Sequence, residues 1–277
     1  MIMIKKLLGA IAISLTFTAA FASEGGYTLD HAPDRINDMA ALQNGAKLFV
    51  NYCLNCHSAN SMRYNALTQI GLTDAEIKKN LLFTGDRVGD MMNVAMTPAD
   101  GKKWFGTAPP DLSVMARAKG TDYIYTYLRT FYRDTSKHTG WDNLVFPSVA
   151  MPNPLWQLQG PRELTRISIH EAESPDGKTK WERTTAKYDA QGFSEIKTEA
   201  LSNYHGPEIS KDTFQAVDQS KMASYDNNVA DLSNFLGWMA EPSQLFRKKL
   251  GVWVMLFLAL FLLVAWRLNA AYWKDVK

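Results

Sequence analysis

Cysteine is scarce: the 277 residues contain two, Cys53 and Cys56, and five histidines. A structural zinc site needs four protein ligands, and no further cysteine or second Cys/His cluster exists to complete one. Neither sign of charge dominates, with a formal net charge of +2, so nothing marks the chain for nucleic acid. There is no internal repeat and no low-complexity tract. With 46% hydrophobic and 21% charged residues the composition is that of a folded protein, long enough for one large domain or two small ones.

The two cysteines stand in Cys53-Leu54-Asn55-Cys56-His57. Two thiols three positions apart with an imidazole directly after them form the pattern that fixes a c-type haem. On a helical turn the thiols share one face, where they reach two vinyl groups, and His57 points toward the iron. A thioredoxin-like dithiol has the same spacing but expects a βαβ context, whereas the upstream flank here reads as helix. A lone disulfide between Cys53 and Cys56 stays chemically possible in an oxidising compartment.

Both ends of the chain carry addresses. Lys5-Lys6, the apolar run at 7–17 and Ala20-Phe21-Ala22 read as a signal peptide, residues 1–22, cleaved after Ala22. Residues 250–266 hold no charge and are bracketed by Arg247-Lys248-Lys249 and Arg267, with Trp253 and Trp266 near the ends. That is a membrane span with interfacial aromatics, assigned to residues 248–268. Basic residues balance across it, so export decides the orientation. Residues 23–247 are expected as an exported domain on the periplasmic side of a bacterial cytoplasmic membrane, and 269–277 as a cytoplasmic tail.

Between the addresses, residues 23–36 read as an extended lead-in. Ala41, Gly45, Leu48, Phe49 and Tyr52 then form one apolar helical stripe running into Cys53, with Gly45 a point of close approach. A short helix is expected within 61–70, and Thr73 with Glu76 forms a capping box. Residues 81–103, rich in Gly, Asp and Met, read as loop. Pro109-Pro110 is a rigid turn feeding a helix at 114–118, and Thr121-Asp122 opens another through Tyr123, Tyr127, Leu128 and Phe131. Residues 160 to about 210 read as a β-hairpin or small sheet, a solvated insertion. Helical spacing returns from about Ser220, through Val229, Leu232, Phe235, Leu236 and Met239, and ends before Pro242.

A haem iron with one histidine leaves a sixth position open. A thioether there closes the iron and raises its potential. The candidates are Met91, Met92, Met96, Met115 and Met151, beside His138, His170 and His205. Met151 leads because Pro147, Pro152 and Pro154 stiffen its loop, with Met96 before Thr97-Pro98 second.

The sequence resembles the cytochrome c1 family, the haem subunit of the cytochrome bc1 complex (quinol:cytochrome c oxidoreductase). The residues that carry the resemblance are Cys53-x-x-Cys56-His57-Ser58 with Tyr64 and Leu67, Pro109-Pro110-Asp111-Leu112-Ser113 with Arg117-Ala118, Ala150-Met151-Pro152, and Phe235-Leu236-x-Trp238-x-Ala240-Glu241-Pro242 before the anchor. It covers the chain from about residue 40 onward except 160–210.

The resemblance implies a mainly α fold: a cytochrome c-like haem domain with a small β-containing insertion and one C-terminal transmembrane helix. It implies one haem c bound through Cys53 and Cys56, with His57 and Met151 as axial ligands. Pro109 and Pro110 would line the haem and Tyr123 would lie near a propionate. The family's propionate-binding arginine aligns on Lys119, with Arg117 two residues away as a substitute. The implied function is electron transfer from the Rieske iron–sulfur protein to a cytochrome c, beside cytochrome b in a dimeric complex, with no acid, base or nucleophile in this chain. Two rivals are a stand-alone membrane-anchored cytochrome c serving a terminal oxidase, and a haem enzyme or gas sensor with an open sixth site.

Overall fold

The computed structural model describes residues 27–173 and 179–274. The expected signal peptide and the last three residues of the expected tail lie outside the described residues. The first helix among the described residues, α1 (Met39–Leu48), is capped by the Asp38 carboxylate, which accepts from the Ala40 and Ala41 amides. It does not stop at Leu48 but widens into a π-turn, Phe49–Cys53, closed by Leu54 N–H donating to the Phe49 carbonyl at 3.0 Å. Single π-turns inside helices rotate the residues that follow, and this one delivers Cys53.

Helix α1 packs against α7 (Met222–Ala240), whose residues from Tyr225 to Met239 are largely buried. Gly45 is the crossing point: a Cβ there would sit 2.4 Å from the Asp231 carbonyl oxygen and 2.5 Å from the Phe235 Cβ. Absence of a side chain therefore sets the interaxial distance. The Phe49 and Phe235 rings meet at a tilt, centroids 5.7 Å apart, in the same seam. Polar clasps close its edges: Asp231 accepts from Arg35 at 2.6 Å and from the Asn44 amide at 2.8 Å.

Between these helices run β1 (Ala59–Arg63), a 3-10 segment (Tyr64–Ile70), α2 (Asp74–Asn80), β2 (Met91–Met92), α3 (Pro98–Phe105), α4 (Met115–Lys119) and α5 (Thr121–Arg129). The Thr73–Glu76 capping box on α2 forms as read. Residues 81–103 are not simply loop, because β2 pairs with β1 and α3 begins at a second capping box, Thr97 with Asp100, with Pro98 in the first turn. A hairpin of β3 (Phe131–Arg133) and β4 (Trp141–Asn143) and the short α6 (Trp156–Gln159) follow.

The insertion is larger than a hairpin. Strands β5 (Arg162–Glu173), β6 (Thr179–Tyr188), β7 (Ser194–Leu201) and β8 (Ile209–Ala216) form an antiparallel sheet in the order β7-β6-β5-β8. With about 44% helix and 20% strand the fold is α plus β, and the expectation of a mainly α chain holds for the helical core alone. The sheet joins the body through Leu164, Tyr188 and Phe214 against Tyr132 and Leu144. Its edge strand β7 is exposed at every position before Leu201, so it has no apolar period to read.

Helix α8 (Gln244–Tyr272) runs 29 residues, about 43 Å, with a mean hydropathy of 2.2 over its most apolar stretch and none of it buried. It is long and apolar enough to cross a bilayer, and it contains the expected span 248–268.

Candidate haem-binding site

The site is assembled where the π-turn meets the proline turn. After Cys53 the chain tightens, with the Cys56 and His57 amides both donating to the Cys53 carbonyl at 3.0 and 2.9 Å. Both thiols are free, Cys53 buried and Cys56 half-buried. Burial, with a smaller push from Cys56, raises the Cys53 thiol to about 12, and burial also raises Cys56. Neutral thiols are poor metal ligands, and among the described residues no group of three or more His, Cys, Asp or Glu is placed to hold a metal ion.

His57 is 8% exposed, and its Nδ1 lies 2.7 Å from the Pro110 carbonyl. A carbonyl can only accept, so Nδ1 carries the proton and Nε2 carries the lone pair. Burial lowers the His57 pKa against the opposing effects of the Pro110 carbonyl and Asp111, which keeps the ring neutral near pH 7. A buried neutral imidazole with one nitrogen fixed by a carbonyl and the other left basic is the form that ligates iron.

The Pro110 carbonyl is itself held. Asp111 accepts from the Asn60 amide at 2.7 Å and the Ser113 amide at 2.8 Å, the Ser113 hydroxyl accepts from the Ser61 amide at 3.0 Å, and the Leu112 amide donates to the Ser58 carbonyl at 2.9 Å. Ser58, Asn60 and Ser61 are thus zipped to Leu112, Asp111 and Ser113. Burial opposes the charge on Asp111, but the Asn60 amide and the Ser113 hydroxyl and amide together hold its pKa below the usual carboxylate range. On the far side of the turn, a Cβ on Gly101 of α3 would meet the Pro109 ring at 2.7 Å. That seat was missed in reading 81–103 as loop.

Met151 sits half-buried against the main core on the loop between β4 and α6. Three residues earlier Ser148 adopts φ 60°, a left-handed conformation rare for a non-glycine residue. The Tyr127 hydroxyl donates to the Met151 sulfur at 3.5 Å. Tyr127 stacks on Tyr123 with ring centroids 6.0 Å apart, and the Lys119 ammonium lies 5.7 Å from the Tyr123 ring centre. Lys119, Tyr123, Tyr127 and Met151 therefore form one continuous line of contacts.

Arg117 departs from that line. Two positions earlier on α4, about 200° round the helix, it lines a cavity of about 330 Å³ with Glu241 and Lys248, at the junction of α7 and α8. Met96 is half-buried beside the α3 cap, Met92 is fully buried in β2, and Met115 packs on the core. His170 lies on β5, and His138 and His205 are exposed.

Residues 32–160 and 181–276 match the sequence profile of the Cytochrome C1 family. The chain belongs to that family. It is 39% identical over 274 residues to the ammonia monooxygenase gamma subunit of Nitrosomonas europaea, covering 99% of both chains. It is 38% identical over 273 residues to cytochrome c1 of Allochromatium vinosum, covering 98% of this chain and 99% of that one. Cytochrome c1 of Rhodospirillum rubrum is 28% identical over 285 residues, covering 94% and 92%. The unmatched residues 161–180 include β5 and the start of β6. Membership identifies a haem electron-transfer subunit of a bc1 complex with covalently bound haem c, and α8 fits a single-pass inner-membrane protein.

Proposed function

We propose that this chain takes electrons from the Rieske iron–sulfur protein and passes them to a cytochrome c, within a quinol:cytochrome c oxidoreductase that also contains cytochrome b and is dimeric. Haem c, when bound, supplies a one-electron couple at iron. Cys53 and Cys56 would hold it covalently, and His57 and Met151 would supply its iron with a nitrogen and a sulfur ligand. The observation that carries this reading is the His57–Pro110 bond, which leaves Nε2 unprotonated in a buried setting beside two free thiols.

The chain's own residues do the rest. The zipped proline turn keeps the imidazole from rotating, so little rearrangement accompanies a change of charge. Tyr127 orients the Met151 thioether and draws density from it. Lys119, beside Tyr123, supports the reading that it neutralises a propionate as a point charge, while the placement of Arg117 near Glu241 supports a different task for that residue. No acid, base or nucleophile is required, because no bond is made or broken in this subunit. Residues 23–247 work on the periplasmic side of the inner membrane, α8 anchors them, and 269–277 lie in the cytoplasm.

The test is purification of the tagged chain from its own membranes in mild detergent. The expected preparation contains c-type haem, b-type haem and a Rieske cluster, with the c haem reduced by quinol. Recovery of the c haem alone, in active form, overturns the reading in favour of a stand-alone anchored cytochrome.

A further inference from the structure

On the side of the molecule where the sheet meets α6 and the start of α7, a cavity of about 300 Å³ is lined by three cations, Arg133, Arg162 and Lys221, with Trp141 and Trp156. Its lining residues include no carboxylate. Arg162 is only 6% exposed, yet forms no ion pair among the described residues. Its Nε and one terminal nitrogen donate to the Phe131 carbonyl, and the same terminal nitrogen donates to the Arg129 carbonyl at 2.6 Å. The other terminal nitrogen has no acceptor among the described residues. Burial pulls the Arg162 pKa down to about 10, as for a cation with no counter-charge in contact, but the group remains protonated at neutral pH.

The neighbouring carboxylates are committed elsewhere. Asp226 is gripped by Arg129 at 2.8 Å. Asp189 accepts three amides of its own turn, from Gln191, Gly192 and Phe193. Asp218 accepts from the Ser220 amide and hydroxyl, although it feels the Lys221 charge. The Arg133 guanidinium carbon lies 4.4 Å from the centre of the Trp141 ring, a contact that leaves its donors unspent.

We propose that this cavity binds a small oxyanion, a phosphate or carboxylate group, through Arg162, Arg133 and Lys221. Arg162 is held by two carbonyls and by the Phe214 ring, 3.8 Å from its guanidinium carbon, but a buried guanidinium with no carboxylate is still costly to keep, and charge-assisted bonds to an anion offset that cost. Lys221 precedes α7, whose 19 residues separate it from the start of α8 by about 28 Å, so the anion is taken from solution and not from lipid around α8.

The experiment is isothermal titration of the full-length chain in detergent with sodium phosphate and, separately, sodium acetate, each against chloride of equal ionic strength. At least one anion should give saturable heat at one site per chain, and the stronger of the two identifies the group. In R133Q/K221Q the affinity should fall more than about tenfold, because two charged donors are lost, while K187Q, on β6 outside the cavity, should bind as the parent does. No saturable heat from either anion, equal affinity in R133Q/K221Q, or an equal loss in K187Q overturns the proposal.

Discussion

The Tyr127 hydroxyl donates to the Met151 sulfur at 3.5 Å, joining α5 to the proline-rich loop. A hydrogen bond to a thioether withdraws density from the sulfur and so weakens its donation to ferric more than to ferrous iron. Tyr127→Phe should therefore lower the midpoint potential of the haem by on the order of 40 mV, the one-electron equivalent of about 1 kcal/mol. A redox titration of the purified complex reads this directly. An unchanged or raised potential would show that the hydroxyl does not act on an axial ligand.

Met151→Leu removes the sulfur itself. The expected outcome is loss of the low-spin His/Met spectrum, a lower potential, and ready binding of carbon monoxide to the ferrous form. Met96→Leu, beside the α3 cap, should alter none of these. The reverse pattern would move the sixth ligand to Met96.

Gly45→Val places atoms inside the Asp231 carbonyl and the Phe235 Cβ, neither of which can move without shifting α7. Overpacking of this kind costs roughly 1–3 kcal/mol or more. Because α1 continues into the π-turn that carries Cys53, the loss should appear twice: as a lower denaturation midpoint, and as less haem per chain in a pyridine haemochrome assay. A variant with full haem content and parental stability would refute the crossing as the determinant.

Asp111→Ala strips acceptors from the Asn60 and Ser113 amides. The exposed Asn60 amide turns to water, while the part-buried Ser113 amide loses a bond worth about 0.5–1.5 kcal/mol, and the turn that presents the Pro110 carbonyl should loosen. Asp111→Asn keeps an acceptor and should recover part of the loss. Thermal unfolding of the three proteins side by side decides it, with equal midpoints counting against the zipped turn.

How much of this was legible in the sequence depended on range. The Cys53–His57 motif, the Thr73–Glu76 cap and the span at 248–268 are written in spacings of a few residues or in a continuous run, and they were read. Helix α3 was lost because its cap uses Asp100 where the common signal is Glu or Gln, inside a stretch coloured by glycine and methionine. Strands β7 and β8 were not singled out, and β7 could not be, because it faces water on both sides. The His57–Pro110 bond joins positions 53 apart, and no local rule connects them. The resemblance linked the two motifs, but the hydrogen bonds that lock one to the other had no trace in either.

Three residues, Glu241, Pro242 and Ser243, separate α7 from α8. They are pinned by the Glu241 amide to Trp238, the Gln244 amide to Glu241, and an ion pair from Arg247 back to Glu241. Since α7 is also the central helix of the body, the core and the anchor share one stiff joint. On the proposed function, a body tied to its anchor over so few residues would leave any change of distance in the relay to its partners.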